Sequence, residues 1–196
     1  MYSFWLGIGA FVLYLIYDIN SFTWKRKVPA TFFLAGTICL AVATVWDLGE
    51  AWCAGALSGT VDVLLLGGAL ASFVMLIYTL FFALPFKETY TEQSDKRRVY
   101  SSGVYALCRH PGILCFFGTY LLLGLAALPT GMISRCLLFS GLNLAYAWFQ
   151  DRITFPKTFF DYSDYQKQVP FLIPTKASIS VARETLFSHR NEEDAL

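Results

Sequence analysis

Five long apolar runs, separated by short polar ones, constrain this chain more than any other feature. They are Tyr2–Tyr17, Val28–Val45, Val61–Phe86, Gly112–Leu128 and Met132–Phe149. Each comes near the ~20 residues that a helix needs to cross the hydrocarbon core of a bilayer. No interior stretch alternates apolar and polar residues as a barrel strand would. An open sheet edge cannot stand in lipid, so the runs read as helices. The third run is long, which predicts a tilted span or one that extends past the bilayer. With 56% hydrophobic and only 15% charged residues, and a mean hydropathy of +0.52, an ordinary soluble domain is excluded. The expected fold is an all-α integral membrane protein with five transmembrane helices.

The basic residues predict an orientation. Lys25, Arg26 and Lys27 follow the first run. Lys87, Lys96, Arg97, Arg98 and Arg109 lie between the third and fourth. Arg152, Lys157, Lys167, Lys176, Arg183 and Arg190 follow the fifth. The alternate connections, 46–60 and 127–131, hold no Lys or Arg. The positive-inside rule then puts the N-terminus outside and the C-terminal tail in the cytoplasm. Arg135 lies toward the outer side and is expected to snorkel to the interface. Asp18 and Asp47, near span ends, are expected to be interfacial. The first run lacks a basic leading region and a small-residue cleavage site, and it ends in Asp18 and Asn20, so it reads as a span and not as a cleaved signal. Three regions follow: 1–95 with three spans and a cytoplasmic linker, 96–174 with the last two spans and the polar material around them, and a tail, 175–196. Within the tail, 177–188 is expected to form a surface helix with Ile179, Ala182 and Leu186 on one face. The acidic end, 191–196, is expected to be disordered.

A formal net charge of +1 and no basic face argue against a nucleic-acid partner. The natural partners are membrane lipids and hydrophobic or lipid-linked molecules. The cysteines, at 39, 53, 108, 115 and 136, show no metal-ligand spacing and read as small hydrophobes. Cys108 stands apart because it abuts an Arg-His pair.

That pair belongs to the polar stretch Ser101–Gly112, SSGVYALCRHPG, which leads straight into the fourth run. Pro111 suits the first turn of a helix, where its missing N–H has no partner to lose. Arg109 and His110 then sit at the mouth of a membrane helix, and Gly103 reads as a turn. Because 127–131 is short, spans four and five are antiparallel neighbours. The start of four and the end of five must surface side by side. That brings Gly103, Tyr105, Arg109 and His110 toward Asp151, Arg152 and the tail segment Asp161–Pro170. Taken singly, Arg109 and His110 suit a helix anchor at the headgroups, and Tyr162 and Tyr165 suit packing of the tail. Asp151 suits a solvated helix end.

The ordered pattern says more. Gly103-x-Tyr105-x3-Arg109-His110-Pro111, two spans, then Tyr162-x2-Tyr165-x3-Val169-Pro170 resembles the isoprenylcysteine carboxyl methyltransferase and phospholipid methyltransferase group. The resemblance covers about residues 96–174. It implies an integral-membrane enzyme that uses S-adenosylmethionine, with its site on the cytoplasmic side and a lipidic or hydrophobic acceptor. O-methyl transfer to a prenylcysteine-like carboxylate is favoured over N-methyl transfer. It further implies cofactor contacts from Gly103, Tyr105, Arg109, His110, Pro111 and Asp151, and catalytic parts for Arg109, His110 and Arg152. An arginine fork suits the cofactor's carboxylate, a carboxylate such as Asp151 its ammonium or ribose, and an aromatic face such as Tyr105 its sulfonium. His110 suits the deprotonation of an amine acceptor. Where the family carries a Glu-Glu pair after the last span, this chain reads Asp151-Arg152. Where the family has Phe-Gly before the first tail tyrosine, it reads Phe159-Phe160. Two alternatives follow: an NADPH-dependent membrane reductase, since sterol-reductase-type enzymes also carry an RHP-like element, and a non-catalytic protein that kept the scaffold.

Overall fold

A computed structural model describes residues 2–83 and 97–193, with side chains through Leu186. Among the described residues every regular element is helical. Helix α1 spans Tyr2–Phe22 and α2 spans Phe32–Cys53, entered through a 3-10 turn at Pro29–Thr31. Helix α3 runs Thr60–Ile77 and continues as a π turn, Tyr78–Phe82. The short α4, Val104–Leu107, precedes α5, Pro111–Ala126, and α6, Met132–Phe149. A second π turn, Gln150–Thr154, leads into α7 (Phe155–Thr158), α8 (Tyr162–Gln168) and α9 (Lys176–Glu193).

Three of these elements are long and apolar enough to cross a membrane: Tyr2–Phe22, Pro29–Cys53 and Thr60–Phe82. Their surfaces say the same. Leu34, Ile38 and Val45 of α2 are exposed, as are Leu64, Leu70 and Val74 of α3. In water such contiguous apolar faces are a liability, whereas in lipid they are the ordinary outer surface. The fourth apolar run forms a shorter helix, α5, because Pro129 and Gly131 end it in a 3-10 turn at Leu128–Thr130. Helix α6 intersperses Ser134, Arg135, Ser140 and Asn143 among its apolar residues.

The boundaries differ from the sequence expectation in instructive ways. Helix α1 runs past Tyr17 to Phe22, so Asp18 and Asn20 lie inside it and are buried. Asn20 then organises the exit: its amide donates to the Arg26 carbonyl, and its carbonyl oxygen accepts from the Arg26 N–H, both at 2.9 Å. Helix α2 likewise continues through Asp47 to Cys53. The surface helix expected at 177–188 is longer, Lys176–Glu193, and takes in 191–193 of the acidic end. Lys87 and Lys96 of the positive-inside pattern, the end of the third run (84–86) and the last three residues lie outside the described residues.

The chain divides into two compact units: the described residues of 1–73 with 116–154, and those of 74–115 with 155–196. In the first unit, Ala10, Phe11 and Tyr14 of α1 pack with Leu40 and Ala43 of α2, Phe116 and Tyr120 of α5, and Phe139 of α6. Close approach depends on small residues, as between membrane helices generally. A Cβ on Gly36 would lie 2.9 Å from the Ala10 carbonyl oxygen, and one on Gly7 would come within 2.0 Å of the Phe139 ring. Asp47 corrects the interfacial expectation. It is 1% exposed, and its Oδ2 lies 2.9 Å from Nε of Arg135, whose Nη2 also reaches Glu50 at 3.8 Å. Arg135 therefore meets carboxylates of α2.

The second unit has its own small core. Tyr162, Tyr165 and Val169 are buried against Val99, Phe155 and Phe159. Asp161 fastens the incoming strand of chain by accepting from the Val99 N–H at 2.9 Å, and the Phe160 N–H donates to the Arg97 carbonyl.

Candidate functional site

The stretch 101–112 folds as its residue types demand. Gly103 adopts φ +61°, ψ −129°, a conformation that side-chain-bearing residues rarely take. Its N–H donates to Thr185 Oγ1 of α9 at 3.0 Å, and its carbonyl accepts from Ala106 as α4 begins. Cys108 is extended and breaks α4 from α5. Helix α5 starts at Pro111, with the Ile113 N–H returning to the His110 carbonyl.

Within the second unit the two halves of the sequence pattern are bonded to each other. The Arg109 N–H donates to the Pro170 carbonyl at 2.9 Å. Its guanidinium Nη1 donates to the carbonyls of Val169 (2.7 Å) and Gln166 (3.0 Å), and the group lies over the Phe171 ring, 5.7 Å from its centroid. These carbonyls belong to the end of α8 and the residues after it, where carbonyls lack helical partners and a cation is favourable. Tyr165 Oη donates to the Tyr105 carbonyl at 2.6 Å, and Tyr105 Oη donates to the Thr79 carbonyl at 2.7 Å. The π turn at Tyr78–Phe82, the α4 segment and the tail are thus tied in series through two tyrosines.

His110 is 8% exposed. Its ring stacks on Phe155, with centroids 5.7 Å apart and planes at 12°, and meets Phe171 edge-on at 5.0 Å. The imidazole therefore sits among aromatic rings at the start of α5. Cys108 is fully buried, and its removal from water pushes the thiol up to about 11. At neutral pH it is a protonated thiol, unsuited to nucleophilic work.

Asp151 and Arg152 belong to the first unit. Both sit in the π turn Gln150–Thr154, a helical irregularity that recurs at functional sites. Asp151 is 1% exposed, which overturns the reading of a solvated helix end, while Arg152 is exposed. The same turn meets Asp18 of α1. Asp18 is 4% exposed and accepts hydrogen bonds from Thr154 Oγ1, at 3.4 Å, and from Gln150. Asp18 was expected at the interface and is instead a buried carboxylate. An ionisable residue at the edge of an apolar run is a sequence signal of a polar site, although its burial is not. The parts of Thr79, Phe155 and Phe171 left no such signal, because each acts through a backbone carbonyl or a ring face. Among the described residues no three His, Cys, Asp or Glu side chains converge as metal ligands would.

The class these observations define is an all-helical protein with three helices fit to cross a membrane and a polar junction at the start of α5. Comparison with protein-family models, with curated proteins and with solved structures finds no match.

Proposed function

We propose that the chain is an integral-membrane, S-adenosylmethionine-dependent methyltransferase acting on a lipidic or hydrophobic acceptor. The observation that carries the reading is the bonding of Arg109 and Tyr105 to the tail segment 165–170. It joins two sequence-distant pieces of one pattern into one junction. In this reading α5 and α6 are the fourth and fifth spans, the N-terminus is outside, and the junction lies at the cytoplasmic surface.

The residues present suit the cofactor's chemistry. When bound, S-adenosylmethionine supplies an electrophilic methyl on a sulfonium sulfur. Arg109 is the residue whose guanidinium would receive the cofactor's carboxylate. Tyr100 and Tyr105, edge to face at 6.3 Å, and the rings of Phe155 and Phe171 offer the aromatic faces that a sulfonium prefers. The aromatic shell around His110 excludes water, which strengthens every charge contact made there. A carboxylate acceptor needs no base. An amine acceptor would lose its proton to His110. Asp151 and Arg152 are the further candidates, for the ammonium or ribose and for acceptor charge. Methyl transfer to an acceptor oxygen is favoured over transfer to nitrogen.

One observation favours a second reading, a non-catalytic scaffold. Arg109, Tyr105 and Tyr165 all bond to main-chain carbonyls, as parts of a structural clamp would. Isothermal titration of the detergent-solubilised protein separates the cases. Micromolar binding of S-adenosylmethionine and its demethylated product, with none of NADPH, is the expected result. A hundredfold excess of ligand over its Kd should also add about 2.7 kcal/mol of apparent stability. Binding of NADPH alone moves the assignment to the reductase, and binding of neither moves it to the scaffold.

A further inference from the structure

A groove in the second unit lies between α4 and α9, apart from the Arg109 clamp. It encloses about 550 Å³ and is lined by Gly103, Val104 and Leu107 on one side and Ile179, Ala182 and Leu186 on the other. That volume lies within the ~300–1,000 Å³ of pockets that hold one small molecule. Among the described residues, Arg183 is the one charged residue in the lining. It is exposed, and among the described residues no carboxylate forms an ion pair with it. Thr185 holds α9 onto Gly103, so the groove has a fixed floor. Ile179 and Leu186 line the groove and are each about half exposed.

We propose that this groove seats one acyl chain of an anionic membrane lipid, with the lipid phosphate against Arg183. Apolar walls give a free phosphate or a polar metabolite nothing to bind, whereas they repay a hydrocarbon chain in proportion to the area it covers. A lone guanidinium at the groove sets the sign of the headgroup and offers it paired N–H donors. The room suits one chain, leaving the second chain of a diacyl lipid in the bilayer. The supply is at hand, because three helices of this chain can span a membrane. The site is independent of the methyltransferase reading, since none of its side chains has a part in the proposed transfer and only the Gly103 backbone is shared.

The test uses the full chain in phosphatidylcholine nanodiscs doped with phosphatidylglycerol that carries a photoreactive diazirine in one chain. After irradiation, mass spectrometry maps the adducts. The expected result is labelling of Val104, Leu107, Ile179 and Leu186. Arg183→Gln should lower the yield about fivefold, as the loss of one basic contact to an anionic lipid implies. Ile179→Trp, at a half-exposed position, should block the groove without disturbing the core, and an unchanged thermal midpoint checks that it folds. Equal labelling by a diazirine phosphatidylcholine overturns the proposal. So does preferential competition by a single-chain fatty acid, or adducts confined to α1–α3. Each of these outcomes leaves the cofactor titration untouched.

Discussion

Each unit holds a partly buried arginine, and the two do so by opposite means. In the first unit Arg135 of α6 meets Asp47 of α2 at 2.9 Å and Glu50 at 3.8 Å. In the second, Arg109 donates to two carbonyl oxygens of the tail and lies over Phe171. Charge against charge holds one helix to another. Charge against carbonyl dipoles holds an irregular segment to the mouth of a helix. The carboxylate pair sits between elements that already hydrogen-bond internally, so the only polar need there is the ion's own. The carbonyl clamp sits where the chain leaves α8 and its main-chain groups need partners. The first arrangement serves packing alone. The second builds a polar junction, the one on which the proposed function rests.

The largest expected effect therefore lies in the first unit. Asp47→Asn leaves the Arg135 guanidinium without its nearest countercharge in surroundings where Asp47 is 1% exposed and Arg135 19%. Breaking a buried pair from one side costs ~3–5 kcal/mol, whereas replacing both partners by neutral groups of similar volume costs far less. Thermal unfolding in detergent should show a large fall in midpoint for Asp47→Asn and substantial recovery in Asp47→Asn with Arg135→Gln. A double variant no better than the single one would show that the pair does not couple α2 to α6.

A smaller loss is expected in the second unit. Arg109→Lys keeps the charge and gives up the planar fork that reaches Gln166 and Val169 together. Hydrogen bonds to charged groups contribute ~1.5–3 kcal/mol, and part of that survives in lysine. The loss should be local: faster proteolysis near Val169–Ile173, with the global midpoint changed less than in Asp47→Asn. Equal global destabilisation by the two variants would erase the distinction between a lock and a clamp.

Helix class and the three long apolar helices were legible in the sequence because apolar runs of helix length leave few alternatives in lipid. Pro111 as a helix start and Gly103 as a turn were legible for local reasons, since each residue restricts or frees its own backbone. Two kinds of information were hidden. Helices α1 and α2 continue through Asp18 and Asp47, and a run-based reading ends where polarity begins. Only the partners, Thr154 and Arg135, make burial of those carboxylates tolerable, and both lie far away in sequence. The Arg109 contacts were hidden for a second reason. They go to carbonyl oxygens, which every residue carries and which therefore leave no trace in residue identity.

The smallest effect is chemical, with one cysteine in each unit as reporter. Cys53 ends α2 and is exposed, while Cys108 is fully buried beside the clamp. Burial raises the Cys108 thiol from 9.0 to about 11, so its neutral form is the one favoured by the fold. The sign follows: any stability drawn from this group is complete below pH 9.0 and declines as pH rises toward about 11. At pH 7–9 a maleimide should modify Cys53 and spare Cys108 until the protein is unfolded, because the reagent needs an accessible thiolate. Arg109→Lys, if it loosens the junction, should raise the Cys108 rate and leave Cys53 alone, whereas Asp47→Asn should raise it only by raising the unfolded fraction. In sealed vesicles an impermeant maleimide adds the orientation. Under the proposed topology Cys53 faces the side opposite the tail, and its labelling from the tail's side would invert that arrangement.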